Sequence, residues 1–219
     1  KAIKQQALEK RIEERKIEEN NTKIQNKEQP KEVKKEDAVK ENLEEKIIEI
    51  LKKSMVAMWR YAVGRGIGFS PDKAGLEVRT PLNNLVKSGK VKIWECRIRK
   101  QETEFYYLAG DTREVCHAFM METTKDKIGD WKIIFEATHG TGKSDLILEK
   151  NGNKIAIECE TFLKKDTSDL QDRIAKNRLE GMETIIVVPT ETAMQFYSEL
   201  FNCKVIGLWE IGGVLKNWQ

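Results

Sequence analysis

Past residue 42 the apolar positions of the chain follow two rhythms in turn. Ile47, Ile48, Leu51, Met55, Met58 and Trp59 recur at intervals of three and four, which predicts a helix with one buried face beginning near Leu43. Gly64, Gly66 and Gly68 predict a turn after it. Thr80-Pro81 supplies an N-cap and a first-turn proline for a short helix through Lys87, with Leu82 and Leu85 inward and Ser88-Gly89 as its stop. Val91 to Ile98 and Glu104 to Leu108 read as two strands around the polar turn Lys100 to Thr103. A helical interval returns from Thr112 to Ile128, carrying Val115, Phe119 and Met120 inward. Beyond Gly129-Asp130 the rhythm shortens to β-like runs: Trp131 to Phe135, Leu146 to Leu148, Ile155 to Ile157, Ile185 to Val188 and Val205 to Leu208. Helical stretches at Ser168 to Glu180 and Glu191 to Phe201 separate the later runs, so this part reads as α/β with some parallel pairing.

The first 54 residues lack such a pattern. They hold 15 basic and 13 acidic side chains and no aromatic, glycine or cysteine, which leaves nothing to build a core from. From Ala2 to Glu19 charges alternate in sign around the thin stripe Ile3, Ala7, Leu8, Ile12 and Ile17. Asn20-Asn21 and Pro30 break it, and Lys31 to Lys40 reads as a linker. The expected organisation is therefore a charged helical or flexible arm over 1–42, a first globular part over 43–110 and a second over 111–219. The arm reads as flexible, or as a segment for homodimer pairing or for docking a partner protein, and its near-cancelling acids and bases argue against a nucleic-acid arm.

Charge and cysteine usage narrow the classes. The 219 residues carry a net +3, and no run of 18 apolar residues or signal-peptide core is present, so the expectation is a soluble cytoplasmic protein with no membrane partner. Cys96, Cys116, Cys159 and Cys203 are too widely spaced for a zinc cluster and read as reduced, packed thiols. The chain begins with Lys rather than Met, which fits a piece of a longer protein.

One segment has two rival readings. Ala137 to Ser144 satisfies a loose phosphate-loop pattern, which needs a helix directly after Lys143-Ser144. Asn151-Gly152 follows within a few residues, and Asn-Gly between apolar runs is a strong hairpin signal. A P-loop NTPase is thus the lesser alternative. With Asn151-Gly152 as a two-residue turn, paired residue numbers sum to 303, so Leu148 faces Ile155, Leu146 faces Ile157, Asp145 faces Glu158 and Lys143 faces Glu160. Parity puts Leu146, Leu148, Ile155, Ile157 and Cys159 on one face, and gathers Lys143, Asp145, Glu158 and Glu160 on the other at the open end. Opposed carboxylates destabilise a sheet unless something offsets them. Mg²⁺ or Mn²⁺ is one offset, being bound by one or two carboxylates with waters and phosphate. Neutralisation of an ordinary exposed hairpin by Lys143, Lys154 and Lys164 is the other.

Two resemblances sharpen the expectation. The line "RTPLNNLVKSGKVKIWECRIRKQETEFYYLAG" resembles the second helix and wing of a winged helix-turn-helix, which implies DNA contact by Arg79, Asn83, Asn84, Lys87, Arg97, Arg99 and Lys100, or else a protein-docking module. "SDLILEKNGNKIAIECE" resembles the PD-(D/E)XK nuclease superfamily, with Asp145 and Glu158 as its acids and Glu160 where its lysine usually stands. Within it the chain looks most like the replication-relaxation proteins of plasmids and other mobile elements. "VCHAFMMETTKDKIG" looks like their His-containing helix and "CETFLKKDTSDLQDRIAKN" like their following basic helix. The resemblance implies a restriction-endonuclease-like mixed sheet, α+β overall. It also implies metal-dependent hydrolysis of DNA, with metal ligands Asp145, Glu158, the Cys159 backbone carbonyl and Glu136 as an outer ligand. Lys143 or Lys164 would supply the missing cation and Glu160 a further ligand or base. A fold that binds DNA without cutting it is the alternative. Lys164, Arg173 and Lys176 read either as a phosphate-binding edge or as a solvated helix face, His139 as a loop contact to phosphate, and His117 as either a core or a catalytic histidine.

Overall fold

The computed structural model describes residues 42–98, 101–111, 114–137, 143–164 and 166–218. The chain divides at Lys46/Ile47 into two units, and apart from the first residues of α1 every element below belongs to the second. Helix α1 covers 42–53 and buries Ile47 and Leu51. It stops before the expected end because Ser54 N–H closes on the Ile50 carbonyl and the Ser54 hydroxyl donates to the Val56 carbonyl at 2.6 Å. Met55 is exposed, and Met58–Trp59 form strand β1, so the apolar spacing beyond residue 53 belongs to a strand.

The glycines serve packing rather than the expected turn. Helix α2 (Arg60–Ile67) runs straight through Gly64 and Gly66, and only Gly68 turns the chain, at φ 103°. A Cβ on Gly64 would sit 1.9 Å from the Ala74 carbonyl oxygen, so α2 and α3 (Pro71–Glu77) meet backbone to backbone. Helix α3 went unpredicted although Ser70-Pro71 marks its start, with the proline in the first turn. Helix α4 (Arg79–Lys87) takes Val78 as N-cap, so Thr80-Pro81 lies inside its first turn rather than capping it. Leu82 and Leu85 are buried and Gly89, at φ 71°, ends it as expected. Strands β2 (Val91–Ile98) and β3 (Gln101–Leu108) pair antiparallel from Val91 with Leu108 to Ile98 with Gln101, so β3 begins inside the predicted polar turn. With β1 they form a sheet ordered β1-β3-β2.

Helix α5 (Val115–Lys125) leads into an open five-stranded mixed sheet ordered β4-β5-β6-β7-β8: β4 (Lys132–Glu136), β5 (Leu146–Lys150), β6 (Asn153–Cys159), β7 (Glu183–Val188) and β8 (Lys204–Gly207). The first three strands are antiparallel, and β6, β7 and β8 run parallel through crossovers α6 (Ser168–Leu179) and α7 (Glu191–Leu200). Helix α8 (Ile211–Lys216) ends the described chain and was not foreseen. The hairpin register is the one the Asn-Gly turn dictates, Leu146 with Ile157 through Lys150 with Asn153, and both turn residues have positive φ. Because β5 is a strand, the helix a phosphate loop needs after Lys143-Ser144 is not there.

Burial follows from this layering. Leu146, Leu148, Ile155, Ile157, Cys159, Ile185 and Val187 face one core, shared with α5 and α8. Ile186 and Val188 point the other way, onto Leu170 of α6 and Tyr197 of α7. Central β7 is thus apolar on both faces, as a covered parallel strand must be. Trp94, Cys96 and Phe105 of the smaller sheet belong to the first core, so the interior is continuous across the expected boundary at 110/111. Two polar ties reinforce it: Arg97 N–H donates to the Pro189 carbonyl at 2.8 Å, and the Trp94 indole to the Thr161 carbonyl at 3.0 Å. Among the described residues no helix is long and apolar enough to cross a membrane.

Candidate active site

At the open end of the β5–β6 hairpin α6 organises Glu158 and Glu160, while Asp145 is held by His117 of α5 and the Cys159 N–H. Glu158 and Glu160 share the parity of Ala156, which turns them toward α6, where Leu170, Arg173, Ile174 and Asn177 recur at helical spacing. Asn177 fixes that helix by donating to the Ser144 hydroxyl at 2.9 Å and to the Thr184 hydroxyl at 3.0 Å. Arg173, one turn earlier, then reaches the acids. Its Nε donates to Glu158 Oε2 at 2.9 Å and its Nη2 to Glu160 Oε1 at 3.4 Å.

Glu158 is fully enclosed and Glu160 nearly so. Glu158 Oε1 and Glu160 Oε2 have no hydrogen-bond partner among the described residues, although Lys164 Nζ lies 2.8 Å from the latter in an ion pair. Burial pushes the Glu158 carboxyl up to about 7; Arg173 pulls it down and the Asp145 charge pushes it further up. Asp145 lies just before β5. Its Oδ2 accepts the Cys159 backbone N–H at 2.6 Å and stands 3.1 Å from His117 Nε2 of α5. Burial lowers the His117 pKa, but the hydrogen bond and charge of Asp145 outweigh it, so the imidazole sits above its usual range.

These groups border an open cleft of about 1020 Å³, lined by Asp145, His117, Lys143, Glu160, Arg173 and Lys176 among others, with Lys92 and Tyr107 contributed by the smaller sheet. Glu158 lies beneath its wall. Eight acidic side chains against five lysines and arginines line the cleft, so a polyanion entering it needs further positive charge.

The structure corrects several expected roles. Lys143 lies 5.0 Å over the Phe135 ring, and it is Lys164 and Arg173 that hold Glu160. Glu136 ends β4 on the cleft as expected, but there it pairs with Lys125 at 2.9 Å. The Cys159 backbone N–H donates to Asp145 Oδ2. Arg97 is not presented to a ligand: it pairs with Glu191 and stacks 5.0 Å over Trp209, inside the chain's own packing. Arg79, Asn83, Asn84 and Lys87 lie on the exposed side of α4, opposite Leu82 and Leu85. Arg99, Lys100 and His139 fall outside the described residues. The four thiols are unbridged, with Cys96, Cys116 and Cys159 buried.

The donor chemistry suits a hard divalent cation, since a buried carboxylate oxygen without a hydrogen-bond partner, Glu158 Oε1, is what such an ion satisfies. No group of three His, Cys, Asp or Glu side chains among the described residues is arranged to enclose one. An ion held here would therefore take one or two carboxylates and fill its shell with water and phosphate oxygens, a mode magnesium favours. A scan against protein-family models finds no match for the chain, and searches of curated proteins and of solved structures find none either.

Proposed function

We propose that this protein is a DNA-processing nuclease of the PD-(D/E)XK type, acting in the replication or transfer of a mobile element. The observation that carries the reading is the gathering of Asp145, Glu158 and Glu160 with Arg173, Lys164 and His117 at one end of the β5–β6 hairpin, beside an open cleft. The α5–β4–β5–β6–α6–β7 order and the antiparallel-to-parallel change at β6 support a restriction-endonuclease-like sheet. A short exposed helix, α4, followed by the β2–β3 hairpin supports a winged helix ahead of it, with Arg79, Asn83, Asn84 and Lys87 exposed on it.

Asp145 and Glu158 would hold Mg²⁺ or Mn²⁺, which when bound polarises the phosphoryl oxygen and lowers the pKa of an attacking water. The protein's own groups do the rest. His117 and the Cys159 N–H fix the Asp145 carboxylate, Glu160 is held by Arg173 and Lys164, and Lys176 on the same cleft offers charge to the phosphate. Incubation of supercoiled DNA with Mn²⁺ tests this: relaxation or linearisation is expected, and is lost in Asp145→Ala and Glu158→Ala. Identical behaviour of all three proteins overturns it.

A second reading has its own support. Arg173 and Lys164 already pair with the two buried glutamates, which is how a site without a metal ion would be stabilised. A DNA-binding assembly protein with the same fold then shows retained DNA affinity and no cleavage with any divalent ion.

A further inference from the structure

The segment that follows the acids is held rigidly yet leaves an aromatic ring in the open. Glu160 N–H donates to the Val187 carbonyl at 3.0 Å, the Trp94 indole donates to the Thr161 carbonyl at 3.0 Å, and the Tyr197 hydroxyl donates to the Phe162 carbonyl at 2.9 Å. The donors Trp94 and Tyr197 are buried and come from opposite sides of the molecule, β2 and α7. Three successive residues are thus fixed from three directions. The Phe162 side chain nonetheless stays 48% exposed and lines the cleft that holds Asp145, Glu160 and Lys164. Leaving half of such a ring in water forgoes part of the free energy its burial would give. The backbone ties remove the freedom to turn it inward.

Resting on the nuclease or DNA-binding reading above, the geometry points to Phe162 as a stacking platform for an unpaired base, so that the cleft takes single-stranded or frayed nucleic acid in preference to intact duplex. A paired base has its faces covered by its neighbours, and only an unpaired or flipped one offers a face to a protein ring. Lys176 of α6 lines the same cleft and can meet the phosphates of such a strand, while Lys164, two residues on from the ring, pairs with Glu160. Tyr107, partly buried on the other wall, offers a second aromatic edge. A protein partner fits less well, because a stable interface needs about 800 Å² per side and Phe162 with Leu163 is a far smaller apolar area.

The test measures binding of the full chain to fluorescein-labelled single-stranded DNA, single-stranded RNA of the same sequence and blunt duplex DNA, with and without Mg²⁺. Single strands are expected to bind more tightly than duplex. Phe162→Ala is expected to weaken them about ten-fold, the loss of one stacked base, and to leave duplex affinity unchanged. Phe162→Trp should keep the affinity, and its indole fluorescence should be quenched by single strands and not by duplex. The DNA and RNA arms show which sugar is accepted. If Phe162→Ala binds single strands like the parent, or duplex binds as tightly and loses as much, the stacking assignment is overturned while the DNA reading stands. If no nucleic acid binds, both fall. Should Phe162→Ala fail to fold, absence of quenching in a DNA-binding Phe162→Trp protein overturns the assignment by itself.

Discussion

Arg173 places its Nε 2.9 Å from Glu158 Oε2, joining a half-buried guanidinium on α6 to a fully enclosed carboxylate on β6. The same guanidinium reaches Glu160, just past the end of β6, so one cation contacts two carboxylates two residues apart. A buried ion pair of this kind is a weak source of net stability, since desolvation offsets most of the attraction, but breaking it strands a charge. Arg173 therefore holds the site together whether or not a metal joins it.

Replacing Arg173 should separate stability from cation affinity. Arg173→Gln is expected to lower unfolding free energy by about 3 kcal/mol, by stranding Glu158, and Arg173→Lys by clearly less. Both are measured by urea denaturation. If Arg173 and a divalent ion compete for the same oxygens, Mn²⁺ should restore much of the loss in Arg173→Gln while barely stabilising the parent. Equal stabilisation of the two proteins by Mn²⁺ would contradict this competition.

The pH dependence has a definite sign. Glu158 rises from 4.5 in the unfolded chain to about 7 in the fold, so the folded state keeps a proton the unfolded state has lost. Its contribution to stability is greatest below about pH 4.5 and is lost as pH climbs to about 7, a change of roughly 3 kcal/mol. His117, raised by Asp145, acts in the same direction: its stabilisation is present below its unfolded pKa of 6.5 and fades as pH passes its folded value. Unfolding free energy should thus fall between about pH 5 and about pH 8, and Glu158→Gln should flatten the lower part of that fall. An unchanged profile in Glu158→Gln would refute the assignment.

Two glycine substitutions probe the helix contact. Gly64→Ala forces a Cβ to 1.9 Å from the Ala74 carbonyl and should cost about 2 kcal/mol or more in thermal or urea unfolding. Gly213→Ala lies in α8 with nothing within 4 Å and should be neutral or stabilising by up to about 1 kcal/mol.

Thiol reactivity gives a check on packing. Burial holds Cys96 and Cys116 at about 12 and Cys159 well above the usual thiol range, with the partly exposed Cys203 at about 11. A chromogenic disulfide reagent at neutral pH should label the native protein slowly and at Cys203 first, then all four thiols once urea is added. Rapid labelling of Cys159 before unfolding would show that the hairpin end opens.

Much of the sheet was readable in one dimension because its causes are local. Asn151-Gly152 sets a two-residue turn, the turn sets the register, and alternation then assigns Leu146, Leu148, Ile155 and Ile157 to the core. Where the expectations failed, the cause is a cap or a partner that the spacing does not show. Gly64 and Gly66 look like a turn until the partner backbone at Ala74 is known, and Met58 and Trp59 continue a helical spacing that Ser54 has already ended. Arg97 looks like a phosphate contact because sequence shows its charge and not the Glu191 and Trp209 that absorb it.

By itself, then, the sequence determined the mixed α/β character, the hairpin and its register, the shared parity of Glu158 and Glu160, and the poor core-forming capacity of the first 54 residues. These follow from turn chemistry and period, which act over a few residues. Only the tertiary structure decided that Glu158 is enclosed, that Arg173 rather than Lys143 answers the acids, that His117 holds Asp145, and that Phe162 stays exposed on a pinned backbone. Those relations join residues on different elements, and the packing of helices on the sheet sets them.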